Sequence, residues 1–184
     1  MVAELDLARV TPLPDSDFAW PRWWPKSRAS TWRIVMRAYD AKGRLRSIQG
    51  RAIDPELRDK TRWPYDRASS GLFFANLHGL ALLRGEAKPL RVELMEGLSD
   101  TLARSLQIAD QGLPVAVLGM THGSPPALAN VAWPDDVPVI VLTHADPAGE
   151  KLAGESRRFI PFSIDVRRAD MSKLVPAGGA HGRL

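Results

Sequence analysis

A chain of 184 residues, 45% apolar and 25% charged, has the length of one ordinary domain and the make-up of a globular protein. It holds no cysteine, which excludes a disulfide framework and thiolate metal sites and agrees with a reducing, cytoplasmic setting. No window reaches the roughly 18 apolar residues of a membrane span, Met1–Asp6 is too acidic for a secretory signal, and the phosphate-loop pattern G-x-x-x-x-G-K-[ST] is absent.

The net charge of +4 is unevenly spread. Residues 22–67 carry 13 Lys or Arg against 5 Asp or Glu, whereas the rest carries 12 against 16. A basic front half joined to an acidic back half suits a polyanionic substrate held near acidic groups. The bland alternative is an Arg-rich surface in a protein of high pI.

In chain order, residues 1–30 read as a Pro- and Trp-rich arm, with Trp20, Trp23 and Trp24 set among Arg22, Lys26 and Arg28. Its indoles either pack on the body or stack on the bases of a single strand. Residues 31–87 read as a basic subdomain containing a β-hairpin. Thr31–Tyr39 has strand composition, Asp40-Ala41-Lys42-Gly43 is a turn, and Arg44–Arg51 returns. Leu45 and Ile48 break the alternation, so the return strand is expected to bulge or lie at an edge. Residues 54–70 form a basic loop, and Leu77 to Arg84 is expected to make a helical turn or two.

From residue 88 to 165 short apolar runs alternate with helical patterns, as buried parallel strands do. Leu90–Met95 ends at Glu96-Gly97, and Leu98, Leu102, Leu106 and Ala109 then recur at helical spacing, predicting a helix over 99–110 capped by Ser99. Val115–Leu118 is a second strand, followed by a short helix from Ser124-Pro125-Pro126. Val139–Leu142 runs into Thr143-His144-Ala145-Asp146-Pro147, with Pro147 opening a helix, and Phe159–Ile164 is the expected last strand. Residues 166–184 read as a tail. Ligands of open α/β sheets sit beyond the carboxyl ends of the strands, so Glu96 and Asp146 both fall where such a fold builds its site. As bare residues they also suit a helix-start acid and an N-cap.

The ordered set Met95-Glu96-Gly97 with Asp100, then Val117-Leu118-Gly119, then Asp146-Pro147-Ala148-Gly149 resembles a TOPRIM domain, the fold shared by bacterial and phage primases, topoisomerases and some nucleases. Upstream, Tyr39–Leu45, Ile48–Arg51 and Lys60–Pro64 resemble the basic subdomain that precedes TOPRIM in phage- and plasmid-type primases. The resemblance implies an α/β fold: a mostly parallel four-stranded sheet flanked by helices, with a small N-terminal basic β-rich subdomain. It implies catalytic roles for Glu96 and Asp100, divalent-metal ligation by Glu96 and Asp146, and contacts of Arg51, Lys60 and Arg62 with template or nucleotide phosphates.

The implied cofactor is Mg²⁺ or Mn²⁺. The implied partners are single-stranded DNA, nucleotides and a replicative helicase, with no membrane. One position departs from the family pattern: His144 stands where the first aspartate of the D-x-D pair belongs. Mg²⁺ prefers oxygen ligands, and imidazole suits Mn, Zn or Fe better. Three outcomes follow: one ion held by Glu96, Asp100 and Asp146, a softer ion that takes His144, or loss of catalysis with nucleic-acid binding kept. The resulting expectation is a primase-like nucleotidyltransferase; its rivals are a non-catalytic binding module of the same fold and a metal-dependent nuclease. Without cysteine ligands or a phosphate loop, the chain is expected to lack the zinc module and helicase of a self-sufficient primase, which suits an accessory component, a fragment or a degenerate copy.

Overall fold

Val, Ile and Leu dominate the runs of the second half, and in the computed structural model these runs form the middle of one continuous sheet. The structure describes residues 8–10 (backbone only) and 34–173, apart from residues 53, 55, 65, 66 and 123. The rest of the Trp-rich arm and the tail around Pro176–Ala180 lie outside the described residues. The strands are β1 (Ala8–Val10), β2 (Ile34–Tyr39), β3 (Leu45–Arg51), β4 (Thr61–Arg62), β5 (Phe73–Ala75), β6 (Arg91–Glu96), β7 (Val115–Met120), β8 (Val139–Thr143) and β9 (Val166–Asp170). The helices are α1 (Leu77–Leu83), α2 (Gly97–Gln111) and α3 (Pro147–Phe159), with a 3-10 helix at Pro125–Asn130.

The sheet order is β4-β3-β2-β5-β7-β6-β8-β9, with β1 paired to β2. Strands β7, β6, β8 and β9 run parallel, which is the four-stranded parallel unit the sequence implies. The basic front half continues this sheet: β5 pairs antiparallel with β7, and Tyr39 pairs with Phe73 to bring the β2–β3 hairpin alongside. The hairpin register shifts where Ala38 faces Ser47 and Tyr39 faces Leu45, so Arg46 is the bulged residue. The break in alternation at Leu45 and Ile48 thus has its physical counterpart.

Alternation along the parallel strands sorts the core into two layers. Val92, Leu94, Ala116, Leu118, Val139 and Val141 pack on one face with Leu82 and Leu83 of α1, and Leu152 of α3 packs against them. Met95, Val115, Val117 and Leu142 pack on the other with Ile108 of α2. Two local expectations are corrected. Ser99 does not cap α2: the helix starts at Gly97 directly from β6, with Glu96 at the cap position and no side-chain cap bond. Gly97 has φ +71°, a left-handed conformation that lets the chain turn from strand to helix with no loop. Likewise, Phe159–Ile164 is not a strand. Helix α3 runs through Phe159, Ile160 and Ile164 drop into the core from a turn, and the last strand is Val166–Asp170. Its exposed Arg167 and Arg168 are suited to a sheet edge, which hides them from a reading by hydrophobicity.

Buried Asn76 joins the two halves. Its Nδ2 donates to the Val115 carbonyl (2.9 Å), while its Oδ1 accepts from Gly79 N (2.7 Å) and Val117 N (3.0 Å). One side chain therefore caps α1 and satisfies the edge of β7. Asn76→Ala should cost about 1–3 kcal/mol, because it leaves buried backbone groups without partners. Urea denaturation checks this, and a midpoint equal to wild type would contradict it.

Candidate nucleic-acid interface

At the carboxyl ends of β6 and β7 a cleft of about 560 Å³ opens, with Arg51, Thr61, Glu96, His122, Lys151 and Glu155 among its lining residues. Each side chain is placed by a short local device. Arg51 ends β3, next to β4, whose register sets Arg51 against Thr61. Glu96 is exposed at the last position of β6, turned outward by the switch into α2 at Gly97. Lys151 and Glu155, one turn apart on α3, are 3.9 Å from each other. Arg51 on the hairpin side and Lys151, with its partner Glu155, on the α3 side thus flank the exposed Glu96 carboxylate.

Gly119, in β7, explains the Val-Leu-Gly run. A Cβ at this position would overlap Thr101 Oγ1 of α2 and come within 3.0 Å of the Gly97 carbonyl. The absent side chain lets the first turn of α2 lie directly on the strand ends. Thr101 Oγ1 in turn donates to the Gly97 carbonyl (2.5 Å).

The other predicted residues take different places. Asp100 lies in the first turn of α2, and its Oδ2 is 3.5 Å from His144 Nε2. Asp146 is exposed and caps α3, its Oδ1 accepting from Gly149 N at 2.7 Å. Neither of these acids nor His144 lines the cleft that holds Glu96. Lys60 is exposed and tied to β3 by its backbone, where its carbonyl accepts from Ala52 N (2.8 Å). Arg62 sits 3.9 Å from Asp59. Arg51 and Glu96 are therefore brought together, as are Asp100 and His144, while Lys60 and Arg62 stay outside the cleft wall.

Arg168 of β9 fixes the end of β8. Its Nε donates to Thr143 Oγ1 (3.1 Å) and its Nη2 to the His144 carbonyl (3.1 Å), and it also pairs with Glu150. His144 and Asp100 stand at a spacing that two neighbouring ligands of one ion could adopt. Among the described residues, however, no group of three or more His, Asp or Glu gathers as a metal seat. The donor set joins one imidazole to one carboxylate, a poor match to the all-oxygen octahedron of Mg²⁺.

The sequence singles out neither Lys151 nor Glu155, and His122, just past the second strand, reads there as loop filler sooner than as a cleft residue. An i, i+4 pair on the helix after Asp146, and a His closing a strand beside Glu96, were the signals available.

No protein-family model and no curated protein sequence matches the chain. Solved structures do. The structure of the DnaG catalytic core matches with a TM-score of 0.55 at 15% identity, covering 77% of this chain and 47% of that one. The DnaG primase catalytic domain bound to ssDNA gives 0.55 at 15% identity, over 80% of this chain and 49% of that one. The E. coli primase catalytic core gives 0.52 at 18% identity, over 79% and 45%. The chain spans about half the length of these cores. At this identity the likeness establishes the fold: a primase-like TOPRIM sheet with its flanking helices. No described helix is long and apolar enough to cross a membrane.

Proposed function

We propose that the chain is a primase-type module that holds single-stranded DNA and nucleotide phosphates in the cleft at the strand ends. The observation that carries the reading is the placement around that cleft of Arg51, at the end of a basic hairpin continuous with the TOPRIM strands, and of Lys151 on α3. Arg51 offers a forked donor to phosphate oxygens, Lys151 a mobile point charge, and Thr61 and His122 further donors. Glu96 opposes them and limits how tightly an anion is held.

A second reading, nucleotidyl transfer, is favoured by Glu96 itself. An exposed carboxylate beside phosphate-binding cations is placed to take the proton of an attacking hydroxyl. Mg²⁺ or Mn²⁺ is the cofactor implied for that chemistry, which it would assist by neutralising charge on the transferring phosphate. Among the described residues the candidate donors do not gather around one point.

One experiment separates the readings: strand binding and primer synthesis on a single-stranded template with Mg²⁺ or Mn²⁺, comparing wild type, Glu96→Gln and His144→Asp. The binding module predicts salt-sensitive binding without synthesis, with Glu96→Gln binding severalfold more tightly because a repelling charge is gone. Synthesis by wild type that Glu96→Gln abolishes would establish the second reading, and His144→Asp should then raise the Mg²⁺-supported rate. Cleavage without synthesis would point to a nuclease, and failure to bind a strand at low salt would overturn the proposal.

A further inference from the structure

Helix α3 lines the cleft as far as Glu155 and ends at Phe159. There a separate groove of about 580 Å³ is lined by Arg157, Arg158, Ile160, Pro161 and Phe162. Phe162 is 92% exposed, the most exposed large apolar side chain among the described residues. The Arg157 guanidinium lies over its ring, 5.4 Å from the centroid. Elsewhere in this half, Arg91, Arg104, Arg167 and Arg168 each sit on a carboxylate. Arg157 and Arg158 form no ion pair among the described residues. Two cations in the last turn complement the helix dipole, but the dipole gives no reason to hold a phenyl ring in water.

We propose that Phe162, Arg157 and Arg158 form a second contact for single-stranded nucleic acid, outside the cleft: an unstacked base lies on the Phe162–Arg157 platform and its phosphate meets Arg158. A ring so exposed offers a face rather than an enclosing pocket, and a planar base suits a face where a peptide side chain needs walls. The unneutralised guanidinium groups supply the matching charge. This reaches beyond the cleft reading, since it sets a second point on the strand's path past the carboxyl end of α3.

The test is photo-crosslinking of the whole chain to an oligothymidylate of about 15 nucleotides carrying 5-iodouracil, with mapping by mass spectrometry and affinity by fluorescence anisotropy. Crosslinks are expected in residues 157–162. Phe162→Ala should abolish them and weaken binding about five- to a hundredfold, the range seen for losing one base–aromatic stack, while Phe162→Trp should retain them. Circular dichroism should show all three proteins equally folded. Arg51→Ala should leave the platform crosslinks in place while weakening the cleft, so that failure of the two sites is told apart. Absence of crosslinks at 157–162 in wild type, or unchanged affinity in Phe162→Ala, would overturn the proposal. So would finding that Phe162 serves only an acidic aromatic peptide or a second copy of the chain.

Discussion

Arg104→Ala should destabilise the protein by about 3–5 kcal/mol, the usual cost of stranding one member of a buried ion pair. Glu93 lies in the middle of β6, 2% exposed on the face covered by α2. Arg104 reaches down from that helix with Nε at 2.6 Å from Oε2 and Nη2 at 2.9 Å from Oε1, and Arg91 Nε adds a third bond at 2.8 Å. Burial by itself would raise the Glu93 carboxyl. The hydrogen bonds and charge of Arg104, then those of Arg91, outweigh burial and hold it below its ordinary value of 4.5.

The sign of the pH dependence follows. A depressed carboxyl stabilises the fold above the unfolded value and loses that contribution as pH falls through the folded value. Wild type should therefore weaken below about pH 4.5 more steeply than a Glu93→Met/Arg104→Met double variant, which should also recover most of the stability lost by the single change. Denaturant midpoints across pH check both statements; a loss under about 1 kcal/mol for Arg104→Ala would contradict them. The pair also has a bearing on the site, because it pins α2 to β6 and so fixes where the first turn carries Asp100.

Arg51→Ala should weaken single-strand binding about tenfold at low salt, the size of one charge-assisted contact. The plot of log affinity against log salt should flatten by about 0.7 if one phosphate contact is lost. Lys60→Ala, outside the cleft wall, should change affinity by less than about twofold, as expected for an exposed charge. Equal losses in both variants would mean that the strand follows the outer loop rather than the cleft.

The parallel core was legible because strands buried on both faces must be nearly all apolar, and the runs ending at Glu96, Leu118 and Thr143 announce themselves. The ends of those strands were legible as well, through Gly97 and Asp146-Pro147. What escaped was whatever depends on tertiary context. Val166–Asp170 carries two arginines because it forms the sheet edge, whereas Phe159–Ile164, more apolar, is a helix end and a turn. Residues 73–75 are too short an apolar stretch to carry a strand pattern, yet they splice the hairpin to the parallel strands. At the site, motif order placed Glu96 and Asp146 at strand ends but could not show that Glu96 faces Arg51 across one cleft while Asp100 turns to His144. That distribution depends on side-chain direction, which spacing alone does not carry.

The most direct measurement is amide hydrogen exchange of the full chain with and without oligothymidylate. A strand lying in the cleft should slow exchange at Gln49–Arg51, Glu96–Leu98 and Met120–His122 together. Exchange unchanged at all three segments, under conditions where the strand is bound, would contradict the central claim.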